Sequence, residues 1–194
     1  MKKLVVLLMC AVVLLSACNA RNLIANTKPF GTPIPTLIPA TLPAVSGGEA
    51  ASGPKCAIRA VDLLGAWVSA GYPESDPFDF SGADGAACQG TFAEDVLVLF
   101  TRSNIWYTGA AACVTCHYQD LTKAQAQMSL VNYADVLAGS RRSSADAKGK
   151  DILGGGDWEK SKLYEVFVVT KLMPLGRPAN MPEKGPLVKA GKPK

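Results

Sequence analysis

Apolar positions along this chain fall into groups of different period. The first is an unbroken run, Leu4–Leu15, preceded by Lys2 and Lys3 and followed by small residues, which is the layout of an export signal. As a helix its 12 residues rise only ~18 Å against a hydrocarbon core of ~30 Å, so a membrane-spanning helix is not expected. From Asn19 to Pro54 the period disappears. Residues 29–43 carry five prolines, and 46–53 are rich in glycine and serine. Such a segment is an extended, flexible tether with a reach of up to ~110 Å. Leu37, Ile38 and Leu42 leave open that it lies against a partner. Beyond it, Ile58, Val61, Leu64 and Trp67 recur at helical spacing within 56–71. A second helix is predicted over 92–103, with Glu94 and Asp95 favourable in its first turn, and a third over 161–172, where Leu163, Val166, Phe167 and Thr170 share a face. The predicted organisation is a signal at 1–17, a linker at 18–54 and a mostly α domain at 55–194.

Composition narrows the function. Charged residues make up 19% of the 194 and hydrophobic ones 48%, which requires a packed core. The net charge of +4 falls to about +2 once Lys2 and Lys3 leave with the signal. That is too little for binding nucleic acid by phosphate neutralisation, and no basic helix is present. Charge is instead divided along the chain, −6 over residues 56–140 and +6 over 141–194. A division of this kind either orients a protein towards a partner, an effect that salt weakens, or is ordinary surface solvation.

The chain has one histidine, His117, and it closes the pattern Cys113-Val-Thr-Cys116-His117. This is the pattern for covalent attachment of heme c. Two thiols three positions apart add to the two vinyl groups of one porphyrin, and the adjacent imidazole becomes the proximal iron ligand. A thioredoxin-like pair is disfavoured because no βαβ alternation surrounds it. A zinc site of Cys56, Cys88, Cys113 and Cys116 has poor ligand spacing. With His117 used, no histidine remains for the far side of the iron. Methionine is the natural sixth ligand, and Met128, Met173 and Met181 survive removal of the signal. Met173 is the first choice, because it leaves the 161–172 helix just before Pro174, which disfavours helical geometry there. Met181-Pro182 is the alternative. Met128, a lysine and an open site remain behind them. Trp106, Tyr107 and Tyr118 flank the motif as candidate pocket walls.

Leu15-Ser16-Ala17-Cys18 resembles a bacterial lipoprotein box, which implies cleavage before Cys18 and lipid attachment there. The CVTCH motif and the Met-Pro loop 56 residues later resemble those of class I c-type cytochromes. More narrowly, residues 104–117, 133–142 and 152–178 together with the lipobox resemble the monoheme lipoprotein subunit of alternative complex III. The resemblance implies a helical domain around one covalent heme, anchored by lipid on the outer face of a bacterial membrane. Its implied partners are a multiheme cytochrome subunit and an extracytoplasmic electron acceptor. The implied role is one-electron transfer, with no catalytic residues of its own. A gas-binding sensor with an open sixth site and a free-standing carrier are the alternatives.

Cys56 and Cys88 remain once lipid and heme cysteines are assigned, and an even remainder in an exported protein points to a disulfide. The carboxylates Glu74, Asp76, Asp79 and Asp84 between them lack the EF-hand arrangement and read as a solvated loop. Gly154-Gly155-Gly156 reads as a turn, and the tail EKGPLVKAGKPK as a frayed end.

Overall fold

A computed structural model describes residues 53–194. The signal 1–17, the lipidation residue Cys18 and all but the last two residues of the 18–54 linker lie outside the described residues. Strand β1 (Cys56–Arg59) leads directly into helix α1 (Ala60–Ser69), and β2 (Phe78–Ser81) and β3 (Ala87–Gly90) follow as a hairpin. A wide turn over Phe92–Val96, closed by the Leu97 N–H donating to the Phe92 carbonyl at 2.8 Å, runs into α2 (Val98–Thr101). After the heme-motif segment come α3 (Tyr133–Ala138) and α4 (Lys162–Tyr164). The latter widens into a second such turn at Glu165–Val169. Strands β4 (Leu187–Ala190) and β5 (Lys192–Pro193) end the fold.

The architecture is mixed α/β, with short helices and two small antiparallel sheets, not the mostly α domain of the sequence expectation. The physical reasons are local. Phe78-Asp79-Phe80-Ser81 alternates buried and exposed positions, the period of a strand. Residues 56–59 alternate likewise, so the expected first helix starts only at Ala60. The second expected helix is split by the Phe92–Val96 turn, and the third is widened and ends at Thr170. Pro174, Pro178, Pro182 and Pro186 then prevent any helix from following. The tail expected to fray is instead two strands.

Helix α1 is the centre of the core. Val61, Leu63, Leu64, Trp67 and Val68 are all buried, so apolar residues face inward around most of its circumference. Trp67 packs against Phe92 with ring centroids 5.0 Å apart and donates its indole N–H to the Pro73 carbonyl at 2.9 Å. Among the described residues no helix is long and apolar enough to cross a membrane.

The C-terminal strands tie the two sheets together. Strand β4 pairs with β1, Cys56 opposite Ala190, while β5 pairs with β3, Cys88 opposite Pro193. Only Gly191 separates β4 from β5. At φ +55 it leaves no room for a Cβ, which would sit 2.4 Å from the Gln89 carbonyl oxygen. The Cys56–Cys88 disulfide bridges the same two sheets. Beneath this junction lies Asp95, 3% exposed. One carboxylate oxygen accepts the Gly191 N–H at 2.7 Å and the Lys55 ammonium at 3.4 Å, and the other accepts the Thr91 N–H at 2.9 Å. Asp95→Asn presents an amide N–H₂ to one of these donors, and an orphaned buried group costs about 1–3 kcal/mol. Chemical denaturation is expected to read that loss, with β5 amides exchanging first. An unchanged midpoint would sink this account of the junction.

Candidate heme-attachment site

The segment around the motif is held by local bonds. Asn104 closes a small loop, its N–H donating to the Ala110 carbonyl at 2.9 Å and its side-chain oxygen accepting the Gly109 N–H at 2.7 Å. The loop presents Trp106 and Tyr107. Trp106 is buried, donates its indole N–H to the Leu99 carbonyl at 2.8 Å and stacks on Phe167, 4.6 Å between centroids. Gly185 at φ +76 lets that ring in, since a Cβ there would meet it at 3.0 Å. The Tyr107 hydroxyl donates to the Leu175 carbonyl. Trp106 and Tyr107 thus fasten the heme-motif segment to the segment carrying Met173. Tyr118, the third expected wall, is half-buried next to His117 in sequence.

Cys113–Thr115 forms a single tight turn, and the Cys116 and His117 N–H groups both donate to the Cys113 carbonyl, at 3.1 and 2.9 Å. The turn gathers the two thiols and the imidazole into one short arc. Cys113 is half-buried, its sulfur 3.7 Å from the Leu99 carbonyl oxygen, while Cys116 is exposed. Both are free thiols. Burial pushes the Cys113 thiol up to about 11, so it is protonated at neutral pH. A thiolate is disfavoured there, whereas a neutral thioether loses little by burial.

His117 is 8% exposed. Its Nδ1 lies 3.0 Å from the Gln125 carbonyl oxygen, which can only accept, so Nδ1 carries the proton and Nε2 keeps its lone pair. Burial also holds the ring below the ordinary imidazole pKa, with the Gln125 bond acting the other way. A neutral ring with a free Nε2 is the ligating form. Gln125 is fixed in turn, its N–H donating to the Cys116 carbonyl at 2.9 Å. The next two residues, Ala126 and Gln127, take left-handed φ values of +56 and +47. Their carbonyls accept from the Arg141 and Arg142 N–H groups at 2.7 and 3.2 Å.

Met173 leaves the Glu165–Val169 turn through Lys171 at φ +54, and its N–H donates to the Val166 carbonyl at 3.0 Å. It packs half-buried against the core, as does Met181, while Met128 is a buried core residue. Of the face expected to pack on a porphyrin, Leu163 and Phe167 are buried and Val166 is half-buried. Thr170 is exposed and donates its hydroxyl to the Glu165 carbonyl. Near Met173 in the chain, Val169, Leu172 and Leu175 are 64%, 64% and 75% exposed, with the exposed Thr170 and Lys171 between them. The residues present fit a covalent heme in three respects. They supply two unpaired thiols at the required spacing, an imidazole locked in its ligating tautomer, and a half-buried thioether packed against the core. A separate cleft of about 770 Å³ is lined by residues such as Tyr133, Leu137 and Arg142, and none of Cys113, Cys116, His117 or Met173 lines it. The candidate site is therefore defined by the chemistry and spacing of its donor set and not by that cleft.

Comparison with family models, with curated proteins and with solved structures yields no match.

The other sequence candidates fall outside this centre. Cys56 and Cys88 form the expected disulfide, which removes them from any zinc site. Among the described residues no group of three or more His, Cys, Asp or Glu is placed to hold a metal ion. Asp79 pairs with Lys194 at 2.6 Å, and Asp84 accepts the Ala86 N–H at 3.1 Å within the hairpin turn. Asp151 accepts the Leu153 and Gly155 N–H groups at 2.8 and 2.7 Å, so the triple glycine is a capped turn. Sequence reasoning missed Gln125, which acts through a carbonyl that any residue carries, and Arg177, for which the sequence gives no signal.

Proposed function

We propose that the chain is a monoheme c-type cytochrome that passes single electrons, tethered by lipid on Cys18 to the outer face of a bacterial membrane. The observation that carries this reading is the buried His117, its Nδ1–H spent on the Gln125 carbonyl, beside two free cysteines on one turn. Cys113 and Cys116 would fasten the heme, and His117 and Met173 would hold its iron. The heme supplies a one-electron couple, set towards middle-to-high potential by a His/Met ligand pair. The chain's own residues set its environment. Gln125 fixes the imidazole tautomer, Trp106 and Phe167 keep water out through their stacked rings, and the core side chains against which Met173 packs lower the local polarity. Its place in the reaction sequence is a relay within a quinol-oxidising complex of the alternative complex III kind, from a multiheme subunit to an extracytoplasmic acceptor. The fold around the site is the mixed α/β one described above.

Met173→Ala is expected to abolish the weak far-red charge-transfer band of methionine-ligated ferric iron and to lower the potential, while Met181→Ala leaves both in place. Oxidised spectra and potentiometry of the purified protein test this. If the Met173 variant is indistinguishable from the parent, Met173 is not the ligand. A parent that lacks the band and binds CO readily is a ligand sensor instead.

A further inference from the structure

The loop after Met173 is rich in proline and exposed for most of its length, with no helix or strand until β4. Three backbone turns shape it, and one side chain reaches carbonyls on both of its limbs. The Arg177 guanidinium donates through Nη1 to the Phe167 carbonyl at 2.7 Å, and through Nη2 to the Pro182 and Glu183 carbonyls at 2.7 and 3.0 Å. Phe167 lies in the turn that precedes Met173, while Pro182 and Glu183 lie on the returning limb. The fork therefore ties both limbs of the loop together from its middle. Its Nη1 bond also satisfies a carbonyl at the end of the widened helix, where a cation is favoured. On the side towards the heme motif, the Tyr107 hydroxyl at the Leu175 carbonyl anchors the same loop, two residues past Met173. Met173 itself contributes only its N–H to the Val166 carbonyl. Its side chain packs half-buried against the core, and the course of the loop that carries it is set by bonds made elsewhere.

We propose that Arg177 is the positioning residue that holds Met173 at the iron, an inference that rests on the heme reading above. A planar guanidinium with several donors spans three carbonyls at once, whereas a lysine ammonium on a flexible stem does not hold that geometry. Loss of the fork releases the loop, and each charge-assisted bond lost raises the open population by roughly tenfold.

The test uses the intact holoprotein well below its melting temperature and compares Arg177→Gln, Arg177→Lys, Tyr107→Phe and Lys171→Gln with the parent. Lys171→Gln is the control, because it removes an ion pair to Glu183 at 3.5 Å across the same two limbs but leaves the fork intact. Arg177→Gln is expected to lose most of the far-red band and to bind CO at least roughly tenfold faster when reduced. Arg177→Lys is expected to fall between it and the parent, Tyr107→Phe to show a smaller shift the same way, and Lys171→Gln no change. A merely structural role would lower the melting temperature and leave band and CO rate alone. Should Arg177→Gln fail to fold, the lysine variant decides on the same two readings. Arginine variants that keep band and CO rate while Met173→Ala loses them overturn the clamp and leave the heme reading standing. A parent protein without covalent heme overturns both.

Discussion

Replacing Cys113 and Cys116 together by alanine is expected to yield a mature protein with no covalently attached heme. The two sulfurs are the chain's only free thiols among the described residues. A heme that stays with the protein through denaturation is therefore expected to be bonded to them. The single variants should differ. Cys116 is exposed, and Cys116→Ala leaves a one-thioether protein with little disturbance around it. Cys113 is wedged against the Leu99 carbonyl that also receives the Trp106 indole N–H, so Cys113→Ala opens a gap beside the buried ring as well as removing a bond. Intact mass of denatured protein reads the attachment directly, and a shifted pyridine hemochrome spectrum reads the one-thioether state. The double variant is expected to show no heme mass at all. A parent protein that itself shows none would mean that the arc of Cys113, Cys116 and His117 serves another chemistry.

The largest effect on stability is expected from the other cysteine pair. Cys56→Ser with Cys88→Ser removes a crosslink across a sequence separation of 32. On the chain-entropy model a loop of that length contributes about 3–4 kcal/mol. Small domains rest on margins of about 5–15 kcal/mol, so this is a large share. The loss should appear first where the sheets meet, because β4 and β5 are short and their hold on β1 and β3 is shared with the disulfide. Denaturant unfolding with and without reductant checks the magnitude. The reduced parent and the double serine variant should unfold at the same lower midpoint. If neither differs from the oxidised parent, the junction is held by Asp95 and the strand pairing alone.

How much of this was legible in the sequence depended on how local each signal is. The attachment motif is chemistry at fixed spacing, and the structure places its three residues on one turn. The body of α1 was legible because Val61, Leu64 and Trp67 keep a helical period. The disulfide was legible by counting. The sheets were not. Phe78-Asp79-Phe80-Ser81 does alternate, but four residues give too short a period to outweigh the acidic, turn-rich run around them. The C-terminal strands carried less signal still, since Leu187–Ala190 is held by backbone pairing to residues far upstream that its own side chains do not announce. Their basic, proline- and glycine-rich surroundings looked like a frayed tail. At the site the same divide holds. His117 stood out as a candidate in the sequence, but the Gln125 carbonyl that fixes its tautomer and the Arg177 fork on the Met173 loop exist only in three dimensions.

The pairing of β1 with β4 also sets an order of events during synthesis. A chain threaded through a membrane from its N-terminal end delivers Cys56 long before its partner strand at Leu187–Ala190 arrives. Until then the first sheet has one strand, the second lacks its edge, and Asp95 has no Gly191 N–H to accept. The intervening segment, CVTCH included, passes through while the fold is still open, and long-range strand pairing is slow to form in any case. Closure by the last strands thus leaves an interval in which, on the heme reading, the thiols could be modified before the sheets are complete. On the heme reading, the last strands would close the domain only after the group had been attached.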